Sequence, residues 1–209
     1  MFDLLTRGGP VTWLLLVASI VAMSTFLERF FHLHRAQLPA DDFLKGLFNV
    51  LRAGNTLEAV HICDEAPGPV ARLARAAILR REAGAAAVER AMEEAGAAEI
   101  PRLERRIALL ATIGQIATLL GLLGTALGLM DALEELQGKA PFAQTGDLAG
   151  GLWQALICTA AGLAVAIFCQ AGYNLLISRV AGILLEMERG AAEMSAFFAA
   201  NRGPEAPSS

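Results

Sequence analysis

The side chains best suited to handling a proton lie inside two of the most apolar stretches of the chain. In "GQIATLLGLLGTALGLM", at about 100° per residue of helix, Gln115, Thr118 and Thr125 fall within about 80° of one another. Gly114, Ala117, Gly121, Gly124 and Gly128 run beside them, and Gly124 with Gly128 makes a GxxxG spacing. In "LWQALICTAAGLAVAIFCQAGYN", Thr159, Gln170 and Asn174 lie within about 60°, flanked by Gly162 and Ala166. Gln154 stands near the start of that stretch, turned about 140° from the set. Hydroxyls and amides can hydrogen-bond across a helix interface or line a hydrated path without bringing a fixed charge. Small residues at Gly121, Gly124, Gly128 and Gly162 suit close helix packing. Polar groups gathered on one face of an apolar helix need something other than lipid to face, either each other or a hydrated space. Neither stretch holds an acidic or basic side chain, so if protons or ions cross here this chain can line the route but a titrating carrier has to come from another polypeptide.

The composition places these stretches in a membrane. Of 209 residues 55% are hydrophobic and 18% charged, and the mean hydropathy is +0.49. A net charge of −4 with mixed signs and no long basic run argues against nucleic acid as a partner. Cys63, Cys158 and Cys169 have no CxxC or His-paired spacing, and His61 near Asp64 and Glu65 has no further partner at metal-ligand spacing. With no HExxH, GxSxG, P-loop or GxGxxG pattern, the residues predict no catalytic, cofactor or metal site, and the protein is not expected to be an enzyme.

The expected fold is all-α, with three membrane spans and long helices continuing into a cytoplasmic helical bundle. The expected order is an external N-terminus over 1–10, a first span over 11–27 and a cytoplasmic helical segment over 28–106. A second span over 107–130, a short external loop over 131–147 and a third span over 148–177 follow. A cytoplasmic C-terminal helix over 178–200 and a disordered tail over 201–209 complete the chain. A leader with a single Arg7 and an acidic Asp3, and "ERFFHLHR" where a cleavage site would be needed, make the first apolar run a retained span rather than a cleaved signal. Lys and Arg set the topology: Arg7 alone precedes the first span and Lys139 alone lies between the second and third, against twelve over 28–106 and three after Ser178. The positive-inside rule puts the N-terminus and the 131–147 loop outside, and the large middle segment and the C-terminus in the cytoplasm.

Breaks at Gly54-Asn55 and at Ala66-Pro67-Gly68-Pro69 divide residues 40–105 into three short amphipathic helices. "RLERR" over 102–106 leads without a breaker into the second span, which predicts one continuous helix from about Pro101 to beyond Met130. Val180, Ile183, Leu184 and Met187 keep helical spacing beyond the third span.

"GLLGTALGLM" resembles the second-span signature of the MotA/TolQ/ExbB proton-channel family, and residues 152–174 resemble its third-span signature. "LRAGNTLEAVHICDEAPGPVARLARAAIL" and "RLERRIALLATIGQIATLLGLLGT" are similar to the cytoplasmic and lead-in segments of its ExbB/TolQ branch. The resemblance implies a homo-oligomeric ring of five subunits in the bacterial inner membrane, with the N-terminus periplasmic, enclosing the single membrane helices of two ExbD- or TolR-like partners. Such a partner supplies the proton-carrying aspartate, and force passes to the cell envelope through a TonB- or TolA-like protein. It also implies a pore-lining role for Thr125 and Thr159; Thr118, Gln115 and Gln154, polar side chains in the same two stretches, are expected to line the same path. The sequence departs from the branch at Gln154, where a glutamate is usual, and at Phe168, where a proline is usual, which predicts a straighter third helix. Asp131, Glu134 and Glu135 follow the second span and would concentrate cations at the outer mouth. A ring that only scaffolds a complex, with the threonines merely packing, is the competing expectation.

Overall fold

The computed structural model describes residues 9–36, 40–138 and 145–201. Residues 1–8 of the expected N-terminal segment, 139–144 of the expected outer loop and 202–209 of the expected tail lie outside the described residues. The fold is all-α. The helices are α1 (Gly9–Ala36), α2 (Ala40–Arg52), α3 (Thr56–Glu65), α4 (Pro69–Arg80), α5 (Ala85–Glu104), α6 (Ile107–Gly138) and α7 (Thr145–Asn201), with a 3₁₀ turn at Arg81–Ala83. Among the described residues α1, α6 and α7 carry runs long and apolar enough to cross a membrane. At 1.5 Å per residue, the 57-residue α7 is about 85 Å long. The chain divides into two compact units, Met1–Arg29 with Arg106–Leu175, and Phe30–Arg105 with Leu176–Ser209.

In the first unit α6 and α7 run antiparallel, because contacts that climb α6 descend α7: Gly114 meets Cys169, Gly121 meets Gly162, and Gly128 meets Ala155. The buried face of α6 advances in alternating three- and four-residue steps through Ile107, Leu110, Gly114, Ala117, Gly121, Gly124 and Gly128, the spacing of a seam between two helices. Against it α7 turns Ala155, Cys158, Gly162 and Cys169. The first half of α1 packs along one edge of this seam, where Val11 and Leu15 are buried with Ala117 and Cys158 under Leu120, Ala161 and Val165. Further along, Phe26 meets Phe168 edge-on at 5.7 Å, and a β-carbon at Gly172 would lie 3.0 Å from the Phe26 ring. Phe168 thus gives α1 an aromatic partner on an uninterrupted α7. Outward-facing Trp13, Leu14, Ile20, Leu119, Leu122 and Ile167 are about half exposed or more, an apolar exterior suited to lipid or further protein.

The second unit is a more ordinary core. The buried face of α4, with Val70, Leu73, Ala74, Ala77 and Ile78, joins Leu44 and Leu47 of α2, Val88 and Met92 of α5, and Val180, Ile183 and Met187 of α7 among the buried residues. Pro69 starts α4 at a position that needs no backbone N–H, after Gly68 with φ of 123°. Gly190 admits Val70, whose methyl would lie 3.1 Å from an added β-carbon. Glu99 of α5 is 3% exposed and accepts hydrogen bonds from Arg72 of α4 at 2.6 Å and Arg102 at 2.9 Å. Phe48 stacks on Phe197 at 4.5 Å, and Arg179 lies over Phe30 at 4.3 Å.

Two sequence expectations need correction. The stretch from Pro69 to Arg105 is two helices: Gly84, at φ of 108°, ends the 3₁₀ turn after α4 and starts α5, so four helices stand where three were expected. The continuous helix from Pro101 is also interrupted, because α5 ends at Glu104 and α6 begins at Ile107. Between them Arg106 has φ of 67°, and it is the one non-glycine residue with positive φ among the described residues. Its guanidinium donates to the Glu28 carboxylate of α1, an ion pair that offsets part of the strain of a left-handed arginine.

Candidate functional site

The seam fixes the direction of the polar side chains. Gln115, Thr118 and Thr125 each follow a buried seam residue by one position, after Gly114, Ala117 and Gly124. Thr159 and Gln170 follow buried Cys158 and Cys169 in the same way. One step past the seam is about 100° of rotation, and reversing a helix reverses the sense of that rotation as seen from one end. In an antiparallel pair all five therefore fall on one edge. The first half of α1 lies on the other edge, where Leu120 and Ala161 pack against it. Thr125 and Thr159 sit at nearly the same height, because the β-carbon position at Gly121 is 3.6 Å from Cα of Thr159 while that at Gly124 meets Cys158.

The threonine hydroxyls are satisfied within their own helices. Thr118 donates to the Gly114 carbonyl at 3.1 Å, Thr125 to Leu122 at 2.6 Å and Thr159 to Ala155 at 3.1 Å. Each hydroxyl keeps its lone pairs as acceptors while its proton is held by the backbone. All three residues are half-buried, whereas Gln115 and Gln170 are exposed. The Gln170 amide reaches the Asn174 side chain at 3.5 Å.

Gln154 is separate from this set. Its side-chain nitrogen lies 2.8 Å from the β-carbon position of Gly9, at the start of α1, and donates to the Asp131 carboxylate at 3.3 Å. Of the three acidic residues that follow the second apolar run, Asp131 and Glu135 line a cavity of about 740 Å³ with Gly150, Gly151, Trp153 and Gln154. Glu134 is exposed and does not line it.

The glycines bring backbones together. A β-carbon at Gly162 would lie 2.7 Å from the Ala117 carbonyl oxygen and 2.8 Å from Gly121 Cα. One at Gly128 would lie 2.8 Å from both the Ala155 nitrogen and the Gly151 oxygen. Contacts below 3.0 Å to backbone atoms cannot be relieved by side-chain rotation. Gly151 was missed in the sequence. It faces the Gly128 carbonyl so closely that no β-carbon fits, and its only signal was the Gly150-Gly151 pair.

Residues 65–189 match the sequence pattern of the MotA/TolQ/ExbB proton channel family. The chain belongs to that family. Across 181 residues it is 32% identical to ExbB-like 1, a biopolymer transport protein homologue of Synechocystis, covering 85% of this chain and 71% of that one. An ExbB homologue from Methanothermobacter thermautotrophicus is 29% identical over 86% of this chain and 64% of its own. TolQ of the Haemophilus influenzae Tol-Pal system is 43% identical over 94 residues, which are 45% of this chain and 41% of TolQ. The matched region runs from the end of α3 to Arg189 of α7, and so includes all the polar residues of the seam edge.

Proposed function

We propose that the polar edge of the α6–α7 seam is one wall of a central channel, formed when copies of this chain assemble as a ring in a bacterial inner membrane. A single-span partner of the ExbD/TolR kind lies within that ring and carries the titrating aspartate. Protons moving inward load and release it, and the partner's movement delivers work to the cell envelope through a TonB- or TolA-like protein. Each proton crossing 100 mV supplies about 2.3 kcal/mol. The orientation in this reading is a periplasmic N-terminus and a cytoplasmic C-terminus.

The observation that carries the reading is the shared edge of Thr118, Thr125 and Thr159, opposite the edge on which α1 packs. It supports a weakly polar surface with no fixed charge, along which a protonated or hydrated carboxyl can move. Asp131, Glu134 and Glu135 would raise the cation concentration at the outer mouth, and neutralising all three should lower proton uptake at low ionic strength.

Replacing Thr125 or Thr159 by Val tests the channel directly. Val has nearly the same shape, and each lost hydroxyl bond goes to a carbonyl within its own helix, so the ring should assemble unchanged. Proton-dependent activity should fall at least tenfold in each variant. If both variants keep full activity, the threonines only pack and the protein is a scaffold. Native mass spectrometry of the gently purified complex should find several copies with a small single-span chain that has an aspartate in its membrane helix.

A further inference from the structure

The second unit has an open groove of about 740 Å³ between α5 and the last third of α7. Its floor is apolar, with buried Leu73, Met92 and Met187. Its rim is acidic, with Glu89 and Glu93 one turn apart on α5 and Glu188 on α7, all exposed. It follows α7 from Leu184 to Ala199, about 22 Å at 1.5 Å per residue. Gly96 keeps it open: an added β-carbon there would meet only the Met187 methyl, at 3.8 Å. An apolar floor between carboxylates calls for an occupant with exposed leucines beside arginines.

The same unit presents such a surface. Leu57 is 88% exposed at the start of α3, and Leu79 is 56% exposed at the end of α4. A hydrogen bond from Arg81 to the Thr56 hydroxyl joins those two helix ends, and exposed Arg80 stands beside Leu79. Within α4, Leu79 lies about 120° around the helix from Leu73, the residue that reaches the groove floor. Groove and knob therefore occupy different faces of one unit.

We propose that the acidic-rimmed groove of one copy receives the Leu57/Leu79/Arg80 knob of the next. This rests on the ring reading above and specifies how neighbouring second units touch. The contact is heterologous: each copy uses its groove toward one neighbour and its knob toward the other, the arrangement that closes into a cyclic ring. It would cover two apolar surfaces that a single chain leaves open to solvent and pair Arg80 with the acidic rim.

The test uses full-length chains in the assembled complex. Copies carrying Leu79→Cys are co-expressed with copies carrying Ala192→Cys, on the groove wall, and mildly oxidised. The native Cys63, Cys158 and Cys169 are buried and give a low background. The expected result is a cross-linked pair of copies. Glu188→Arg should remove most of this adduct, and adding Arg80→Glu should restore it. Gly96→Leu, which fills the groove with a better helix former, should also remove it with helicity unchanged. An intact ring by native mass spectrometry with no Leu79–Ala192 adduct would overturn the contact and leave the ring reading standing. Cross-linking of Ala192→Cys to a different co-purifying chain would overturn it too. Single copies only would sink both.

Discussion

Both units put small residues on facing helices, and they use them in opposite ways. In the α6–α7 seam Gly121, Gly128, Gly151 and Gly162 bring one backbone onto another, and a β-carbon at Gly128 or Gly162 would fall within 3.0 Å of main-chain atoms. Between α5 and α7 of the second unit, Gly96 and the alanines that follow along α7 leave a groove. The first unit is held by close approach of main chains, the second by a side-chain core and the buried Glu99 between two arginines. A small-residue stripe therefore says only that space was made at that face. Whether a backbone fills the space or it stays open depends on the neighbouring helix.

The comparison is broken most severely at Gly162. Gly162→Leu should wedge α6 from α7 and cost at least the upper end of the range of about 1–3 kcal/mol typical of overpacking, read as a large fall in the thermal unfolding midpoint in detergent. An unchanged midpoint would mean that the seam is not closed in solution. In the second unit, Glu99→Ala should cost about 2 kcal/mol, because charged hydrogen bonds are lost while the freed arginines, which are 47% and 69% exposed, return to water. A loss limited to local protease sensitivity of α4 and α5 would sharpen the contrast, and no loss would show that the ionic contacts are ornamental.

A paired substitution gives smaller effects of opposite sign. Gly96→Ala should stabilise by about 0.5–1 kcal/mol, since Gly is costly inside a helix and the site has room. Gly128→Ala should destabilise despite the same gain in propensity. The same sign at both sites would refute the distinction between open and closed faces.

The smallest effect concerns Cys63 in the second unit. Burial raises its thiol pKa from 9.0 to about 11; Asp64 adds to the rise and Arg75 opposes it. In the unfolded chain the thiol ionises near its ordinary value, while in the folded chain it keeps its proton. Stability should therefore be unaffected below pH 9 and decline between about 9 and 11. Maleimide labelling at pH 8 should be slow in the native protein and fast after unfolding, and rapid native labelling would show that this core opens.

Much of this was legible along the chain. Three apolar runs, the glycine rows and the shared face of Thr118 and Thr125 follow from helical periodicity, which depends only on local geometry. Gly84 was legible as a break but was read through, because the alanines after it favour helix as strongly as the residues before it. The interruption at Arg106 had no local signal. An arginine rarely adopts positive φ, and its partner Glu28 is distant in sequence.

Sequence by itself determined that α6 and α7 are long, apolar, lined with small residues and free of acidic or basic groups across their apolar stretches. These properties are set by composition and the 3.6-residue repeat. Only the tertiary structure decided that Thr118, Thr125 and Thr159 share an edge while Gln154 turns toward Gly9 and Asp131. The reason is directional: a helix alone has no preferred side until the antiparallel partner defines a seam and α1 packs along one edge of it.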